Sequence, residues 1–395
     1  MPGRYEVQDE MPDEIVICAA RRTPIGAFLG AFSAVPATEL GAVAIRAVLE
    51  DSGIDPARID EVLMGCVLPA GLGQAPARQA ALKAGIPIGV PCTTVNKMCG
   101  SGMKALMLGF DQIRAGAAEV VVAGGMESMS RAPYLVPRAQ RMGHARLVDH
   151  MLYDGLEDPE SGELMGFFAE QCADRFHFTR EEQDAYAAES VRRSLSAIAG
   201  GAFHAEIVPV EVKGNLVSED EGPGRCDLTR IARLKPAFRK DGGTVTAANA
   251  SSISDGAAAL LMMARTTAGK LGLSPLARIL AHATVAQAPA AFTTAPIGAI
   301  RRLLDRLGWG PADADLYEIN EAFAAVALAA IRELGLRPER VNVHGGACAL
   351  GHPIGASGAR ILVTLLHALR ARGEKRGIAS LCIGGGEATA LAIEC

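Results

Sequence analysis

The sequence predicts an α/β protein built from layers of helix and sheet, and three observations carry that prediction. Short β-branched runs bounded by turn residues alternate with longer segments of helical period, the pattern of strands laid between helices. Glycine and alanine abound while aromatic residues make up only 4% of the chain, so the layers must approach through small side chains rather than around large rings. One stretch is also echoed: Ser101-Gly102, a helical segment to Arg114 and the strand EVVVAGG resemble Ser357-Gly358, a helical segment to Arg370 and ASLCIGGG. The serine-to-arginine interval is the same in both copies, which implies two related halves.

Taken in order, the chain opens with MPGRYEVQDEMPDE, which lacks the basic start and apolar stretch of a secretory signal and reads as a flexible tail over residues 1–13. The first half is expected over residues 14–127, with strands at Glu14–Ala19, Glu61–Val67 and Glu119–Ala123. Residues 128–243 change character, with clustered arginines and a DEGPGR turn, and read as an inserted loop subdomain. Within it Thr179–Leu195 is helix-like, and Thr179 followed by Glu181 and Glu182 suits the exposed amides of a first turn. Residues from about 244 to 272 are expected to complete the first half, and 273–395 to form the second, with strands at Asp315–Glu318 and Ile378–Ile383.

A chain of 395 residues, 49% hydrophobic and 21% charged, can bury one large core or two medium ones. Apolar runs such as Val120–Gly125 and Ala257–Ala264 fall far short of the ~20 residues that span a bilayer, so no membrane span is expected. A formal charge of -5 argues against nonspecific nucleic-acid binding but leaves room for a local basic patch that holds a phosphorylated ligand. The nine cysteines include no CxxC pair and sit singly among apolar or glycine neighbours, which suits a reducing, cytoplasmic setting.

Four motifs carry chemistry. In Asn96-Lys97-Met98-Cys99-Gly100-Ser101-Gly102-Met103-Lys104 a cysteine stands between an expected strand and an expected helix. Helix amides there favour a thiolate and the glycines admit a substrate close to the backbone, although a buried structural cysteine fits the residues too. Gly345 to Gly358 (GGACALGHPIGASG) puts His352 at the mirrored place in the second half, where an imidazole could take a thiol proton or simply occupy a turn. Cys382-Ile383-Gly384-Gly385-Gly386-Glu387 offers a second cysteine and free amides, suited to proton transfer and an oxyanion hole, or a plain glycine turn. Asn320-Glu321-Ala322-Phe323-Ala324 closes the strand-like DLYEI and equally suits an ordinary helix start.

Together the four motifs resemble the thiolase family, and the resemblance runs from about Glu14 to Cys395. It implies two similar βαβαβ halves stacked as a five-layered α-β-α-β-α sandwich, with the inserted loop subdomain covering the active site. It implies Cys99 as the nucleophile that carries the acyl group, His352 as its activating base, and Cys382 as the acid/base for the α-proton of the second acyl-CoA. Asn320 resembles the asparagine that holds a water and, with His352, forms one oxyanion hole; the amides of Cys99 and Gly384 resemble the other. Met165 and Phe323 resemble acyl-pocket contacts and Ser251 a contact to the pantetheine arm. Arg225, in a group with Arg230, Arg233, Lys235, Arg239 and Lys240, is the implied partner of the nucleotide end of coenzyme A.

The implied activity is reversible acyl transfer between 3-ketoacyl-CoA and CoA, or Claisen condensation of two acyl-CoA molecules, in fatty acid metabolism. CoA and acyl-CoA are the implied substrates, with no metal, no permanently bound cofactor, and a homotetramer in which Ser128–Arg146 forms the assembly loop. Some positions depart from the family pattern: Leu164 replaces a histidine of short-chain biosynthetic members, Glu387-Ala388-Thr389 replaces an uncharged residue followed by glycine, and His344 stands where asparagine is frequent. Cys348 reads as packing. A ketoacyl synthase-like enzyme would share the fold but lacks a counterpart of Cys382, and a silent lipid-binding homologue would not need every implied catalytic residue.

Overall fold

Side chains on a strand alternate between its two faces, and that alternation assigns the layers in the computed structural model, which describes residues 13–136, 138 and 141–395. The expected tail therefore lies outside the described residues except for Asp13, whose carboxylate accepts from Thr266. The first half runs β1 (Ile15–Arg22), β2 (Gly26–Ala27), α1 (Ala37–Ser52), β3 (Glu61–Gly65), α2 (Pro76–Lys83), β4 (Cys92–Val95), α3 (Ser101–Arg114) and β5 (Val120–Ser128). Residues 129–253 carry the small hairpins β6 (Tyr134–Leu135) with β7 (Val148–Asp149) and β8 (Val210–Val212) with β9 (Asn215–Val217). Between and after them lie α4 (Met165–Phe176), α5 (Arg180–Ala199) and α6 (Glu221–Arg225). Then come β10 (Ser254–Ala264), α7 (Arg265–Lys270), β11 (Ala277–Ala286), α8 (Ala295–Leu307), β12 (Leu316–Ile319), α9 (Ala324–Leu334), α10 (Ala347–Leu350), α11 (Ser357–Arg372), β13 (Arg376–Ile383) and β14 (Glu387–Glu394).

The strands of both halves follow one plan. In the first, β3 is parallel to β4 and β5, and β10 is antiparallel to β5 and β1; in the second, β12 is parallel to β13, and β14 is antiparallel to β13 and β11. The counterpart of β4 is reduced to a single parallel bridge, Tyr317 with Val341. Strand β10 turns Ala258, Leu260 and Met262 toward α3 and α11, and Ala257, Ala259, Leu261 and Met263 toward α1 and α2. Strand β14 divides likewise, with Leu391 and Ile393 facing the same middle helices and Ala388, Ala390 and Ala392 facing α8 and α9. The order is α-β-α-β-α, as expected. The two sheets are not separate: Ile15–Ile17 of β1 pair with Ala277–Ile279 of β11, so a single ten-stranded ladder folds back around α3 and α11.

Several elements escape the sequence reading. Strands β11 and β14 are rich in alanine, which carries little strand propensity and so gives no local signal. The DEGPGR segment is the short helix α6 rather than a turn, because its acids are consumed by the fold: Asp220 grips Arg22 at 2.7 and 2.9 Å, and Glu221 accepts from the amides of Ala27 and Ala31 at 2.8 and 3.0 Å. Helix α5 begins as expected with a reciprocal cap between Thr179 and Glu182. Among the described residues no helix is long and apolar enough to cross a membrane.

The middle layer is close-packed at its helix starts. A methyl on Gly102 would stand 2.9 Å from the nitrogen of Ala359, and one on Gly358 would collide with Met103. Gly358→Ala should therefore overpack this crossing and lower the unfolding free energy by roughly 1–3 kcal/mol in urea titrations. Gly89→Ala, where open space surrounds the added carbon, should be close to neutral; equal stability of the two variants would mean that the helices do not meet as described.

Candidate active site

Between β4 and α3 the chain reverses around Met98, a non-glycine residue held at φ 47°. Such a conformation costs of order 1–3 kcal/mol and persists only where the surroundings over-determine it. Here they do: Asn96 Oδ1 accepts from the Met98 amide at 3.0 Å, Gly100 N donates to the Lys97 carbonyl at 3.0 Å, and Ser101 Oγ donates to the Met98 carbonyl at 2.6 Å. The elbow sets Cys99 immediately before α3. Gly100 follows because a side chain there would strike Ile383.

Cys99 keeps some contact with solvent but is walled in by protein, and burial pushes its thiol up to about 11. Opposing that push, the backbone amides of Gly384 and of Cys99 itself lie near the sulfur and favour its thiolate. Cys382, the penultimate residue of β13, is fully buried, and its thiol is held well above the ordinary range first by desolvation and then by the nearby charge of a Cys99 thiolate. Ile383, next to Cys382, presses against Gly100, next to Cys99, so the two cysteines share one site.

His352 arrives from the loop before α11, its amide donating to the Ser252 carbonyl at 3.0 Å. Its Nδ1 lies 2.5 Å from Ser357 Oγ, and Ser357 gives its own hydroxyl proton to the Pro353 carbonyl at 3.0 Å. Ser357 must then accept from Nδ1–H, which leaves the lone pair on Nε2, 3.5 Å from Asn320 Nδ2. Burial, with help from the positive charge of Arg360, pulls the imidazole down to about 3, so it stands neutral as a proton acceptor. Cys99 packs against the apolar cluster that contains Ile354, two residues along from His352. Asn320 is anchored at the end of β12 by its amide to the Ser380 carbonyl at 3.0 Å, and Arg360 Nη2 reaches its Oδ1 at 3.5 Å.

An apolar room surrounds Cys382, built from Met165, Phe167 and Phe168 of α4, Phe238, Phe292, Phe323 and Val326. The Met165 sulfur stands against Gly384, and the ring of Phe323 meets Phe238 edge-on at 6.1 Å. Ser251 lies alongside, its amide donating to the Ala322 carbonyl at 2.9 Å. Leu164 precedes α4 and is half-buried. Arg225 ends α6 as an exposed side chain. Of the other basic residues, Arg239 is committed to Asp174 at 2.7 and 2.9 Å and to Glu170 at 3.3 Å. Arg230, Arg233, Lys235 and Lys240 are exposed and form no ion pair among the described residues.

The sequence reading overlooked several groups. Ser357, which selects the histidine tautomer, was visible only as half of the echo. Glu321 collects Tyr186 at 2.9 Å, Ser190 at 2.7 Å, Asn342 at 2.9 Å and the Cys348 amide at 3.0 Å, so Cys348 is a packed residue in that hub. Glu127, pushed up to about 7 by burial, takes the amides of Val67, Leu68 and Gly355 and so ties the loop after β3 to the histidine loop. Nothing in its strand-like context marks it. The assembled groups, a thiol beside two backbone amides, a neutral imidazole and a second desolvated thiol, suit covalent transfer with proton exchange and charge stabilisation by fixed dipoles.

Two family models match the chain, one described as "Thiolase, N-terminal domain" over residues 15–266 and the other as "Thiolase, C-terminal domain" over residues 273–395. An acetyl-CoA acetyltransferase of Pseudomonas aeruginosa is 54% identical over 389 residues, covering 96% of this chain and 99% of the relative. Acetyl-CoA acetyltransferase 1 of Arabidopsis thaliana is 52% identical over 392 residues, covering 97% and 94%. Among solved structures, a thiolase of Ascaris suum in complex with coenzyme A superposes with a TM-score of 0.93 at 45% identity, covering 96% of this chain and 99% of that one.

The neutral His352 has a consequence for stability. Between pH 6.5 and about 3 the unfolded chain binds a proton at this residue that the folded chain refuses, so folding weakens as pH falls through that window. At pH 5 the contribution reaches about 2 kcal/mol. Thermal unfolding followed from pH 7 to pH 5 should therefore fall less steeply in His352→Gln than in the unmodified protein; parallel slopes would place the imidazole in a more polar setting.

Proposed function

The chain belongs to the thiolase family, and on that premise we propose that it transfers acyl groups between coenzyme A thioesters through an acyl-cysteine on Cys99. The observation that carries this reading is the meeting of the Cys99 elbow with the end of β13, where Gly100 presses against Ile383. Two desolvated thiols, Cys99 and Cys382, thereby stand at one place beside the Gly384 turn. A ketoacyl synthase-like site has no use for the second thiol.

In the first step His352 Nε2 takes the Cys99 proton and the thiolate attacks the thioester carbonyl. The oxyanion forms against the amides of Cys99 and Gly384, each donor contributing ~3–4 kcal/mol of transition-state stabilisation. The tetrahedral intermediate collapses, the acyl group stays on sulfur, and the departing CoA thiolate recovers the proton from the imidazolium. In condensation Cys382 first passes its own proton to the imidazole of His352, which later returns it to the Cys99 thiolate freed by the enolate's attack. As thiolate, Cys382 then removes the α-proton of a second acyl-CoA. The enolate oxygen is held near His352 and Asn320, and the enolate carbon attacks the acyl-cysteine to give 3-ketoacyl-CoA. Thiolysis is the reverse. The high resting affinity of Cys382 for its proton suits this exchange, because a buried thiolate is a strong base.

CoA and acyl-CoA are the substrates on this reading. Ser251 lies beside the pantetheine path, Met165 and Phe323 wall the acyl group, and Arg225 meets the nucleotide end together with exposed neighbours of its group. All nine cysteines are free, which supports a reducing, cytoplasmic setting. A homotetramer and a role in fatty acid metabolism belong to the same reading and rest on the family resemblance; of the expected assembly loop, residues 137, 139 and 140 lie outside the described residues.

Mass spectrometry after brief exposure to acetyl-CoA should find the acetyl group on Cys99, and Cys99→Ala should abolish both condensation and thiolysis. Cys382→Ser should cut condensation by roughly 10²-fold or more while sparing acetyl exchange between acetyl-CoA and CoA, which needs no α-proton transfer. Equal loss of both activities would make Cys382 a structural residue.

Leu164 offers no hydrogen bond to a short substrate's keto oxygen, so discrimination by chain length rests on apolar contacts worth only ~1–3 kcal/mol per methylene. Thiolysis of 3-ketoacyl-CoA substrates beyond four carbons is expected, with Leu164→His shifting kcat/KM ratios toward acetoacetyl-CoA. Strict acetoacetyl-CoA specificity of the unmodified protein would contradict this.

A further inference from the structure

The elbow carrying Cys99 belongs to the first half and the glycine turn carrying Gly384 to the second, and no strand pairing connects them. The halves join at β1 and β11, whereas β4 and β13 lie toward opposite ends of the ladder. Yet the Gly384 amide must lie against the Cys99 sulfur, where displacements of a fraction of an ångström matter. What holds this seam is side-chain contact.

Two such contacts join the elbow to the glycine turn. On one side Gly100 sits so close to Ile383 that a side chain on the glycine would collide with it. On the other, Lys97 Nζ pairs with Glu387 Oε2, the side chains being 22% and 33% exposed. Both partners stand on ordered backbone. Lys97 lends its carbonyl to the Gly100 amide at 3.0 Å and its amide to Ser101 Oγ at 2.9 Å, so the residue is part of the elbow itself. Glu387 opens β14 directly after the glycines, paired with Ile383 across the hairpin and with Ala286 of β11.

We propose that Lys97 and Glu387 are positioning residues, a strap that fixes the glycine turn to the elbow and thereby sets the Gly384 amide against Cys99. The inference rests on the proposed role of that amide in stabilising the oxyanion. The strap touches no substrate, so its loss acts through the transition state of acylation rather than through binding.

A direct electrostatic effect of Lys97 on the thiol gives the opposite sign and separates the two accounts. If the ammonium acted by stabilising the thiolate, Glu387→Gln would release its field and speed Cys99. A strap predicts that Glu387→Gln slows it.

The experiment measures acetyl exchange and iodoacetamide alkylation of Cys99 in Glu387→Gln, Lys97→Met and the charge-swapped double variant Lys97→Glu/Glu387→Lys, with unfolding by urea in parallel. The expected result is a fall in kcat by roughly threefold to fivefold in each single variant, the range open to a half-buried ion pair, with KM for acetyl-CoA unchanged. Recovery of most of kcat in the swapped protein, despite an acid now beside Cys99, is the signature of a strap. Faster alkylation in Glu387→Gln, unchanged kcat, or a loss that only tracks the unfolded fraction would each overturn the proposal. Acetylation of Cys99 in the unmodified protein is scored separately: its absence refutes the functional reading itself, whereas its presence with an unaffected Glu387→Gln refutes only the strap.

Discussion

The close crossing of α3 and α11 is the constraint on which the rest of the structure depends. Their first turns approach to a distance that only hydrogen side chains permit, at Gly102 and Gly358, while Gly65 and Gly125 press from the adjoining strands against the backbone of the 355–356 segment. Each helix begins at the same point of its own half, so the residues just upstream are delivered to one place by construction. Cys99 precedes one helix and His352 the other. A bulkier residue at the crossing would part the helices and with them the two sides of the site.

Around that crossing the protein places charges behind the site and dipoles within it. Arg22 is wholly buried with Glu206 at 2.5 Å and Asp220 at 2.7 Å, and Arg360 faces Glu318 at a looser 3.7 Å. Removing such groups from water is costly unless each is fully matched, and Glu318, left with an unpaired oxygen, is pushed up to about 8 by desolvation. The groups that would meet a substrate are neutral instead: a protonated thiol, an uncharged imidazole, an amide side chain and backbone N–H donors. Fixed dipoles can stabilise transient negative charge without first having to shed a counter-ion.

The halves share a plan but spend one connection differently. Where β13 turns directly into β14 through Gly384–Gly386, with φ 90° at Gly385 and Gly386, the matching passage from β5 to β10 opens into residues 129–253. The short turn presents amides at the site; the long one sends α4 back across it, so that Met165, Phe167 and Phe168 dry the surroundings of Cys382. Part of the desolvation of that thiol thus comes from this difference between the halves, the rest from Phe292, Phe323 and Val326 of the second half itself.

What the sequence determined by itself is what short-range pattern encodes. The echo from Ser101 and Ser357 marked both middle helices, the cap at Thr179 marked α5, and the four motifs named the candidate site residues, because each signal lies within a few residues of chain. Tertiary structure decided the rest. Alanine-rich β11 and β14 became strands through their neighbours rather than their propensity, and the two expected sheets fused at β1 and β11. Asp220, at the head of the expected DEGPGR turn, became the partner of Arg22, and Arg239, grouped by sequence with other basic residues, was consumed by Asp174 and Glu170. The tautomer of His352, the coupling of Cys99 to Cys382 and the pairing of Lys97 with Glu387 likewise appear only in the folded chain. Hydrogen bonds and burial depend on which atoms meet across hundreds of residues, and local periodicity carries no record of that meeting.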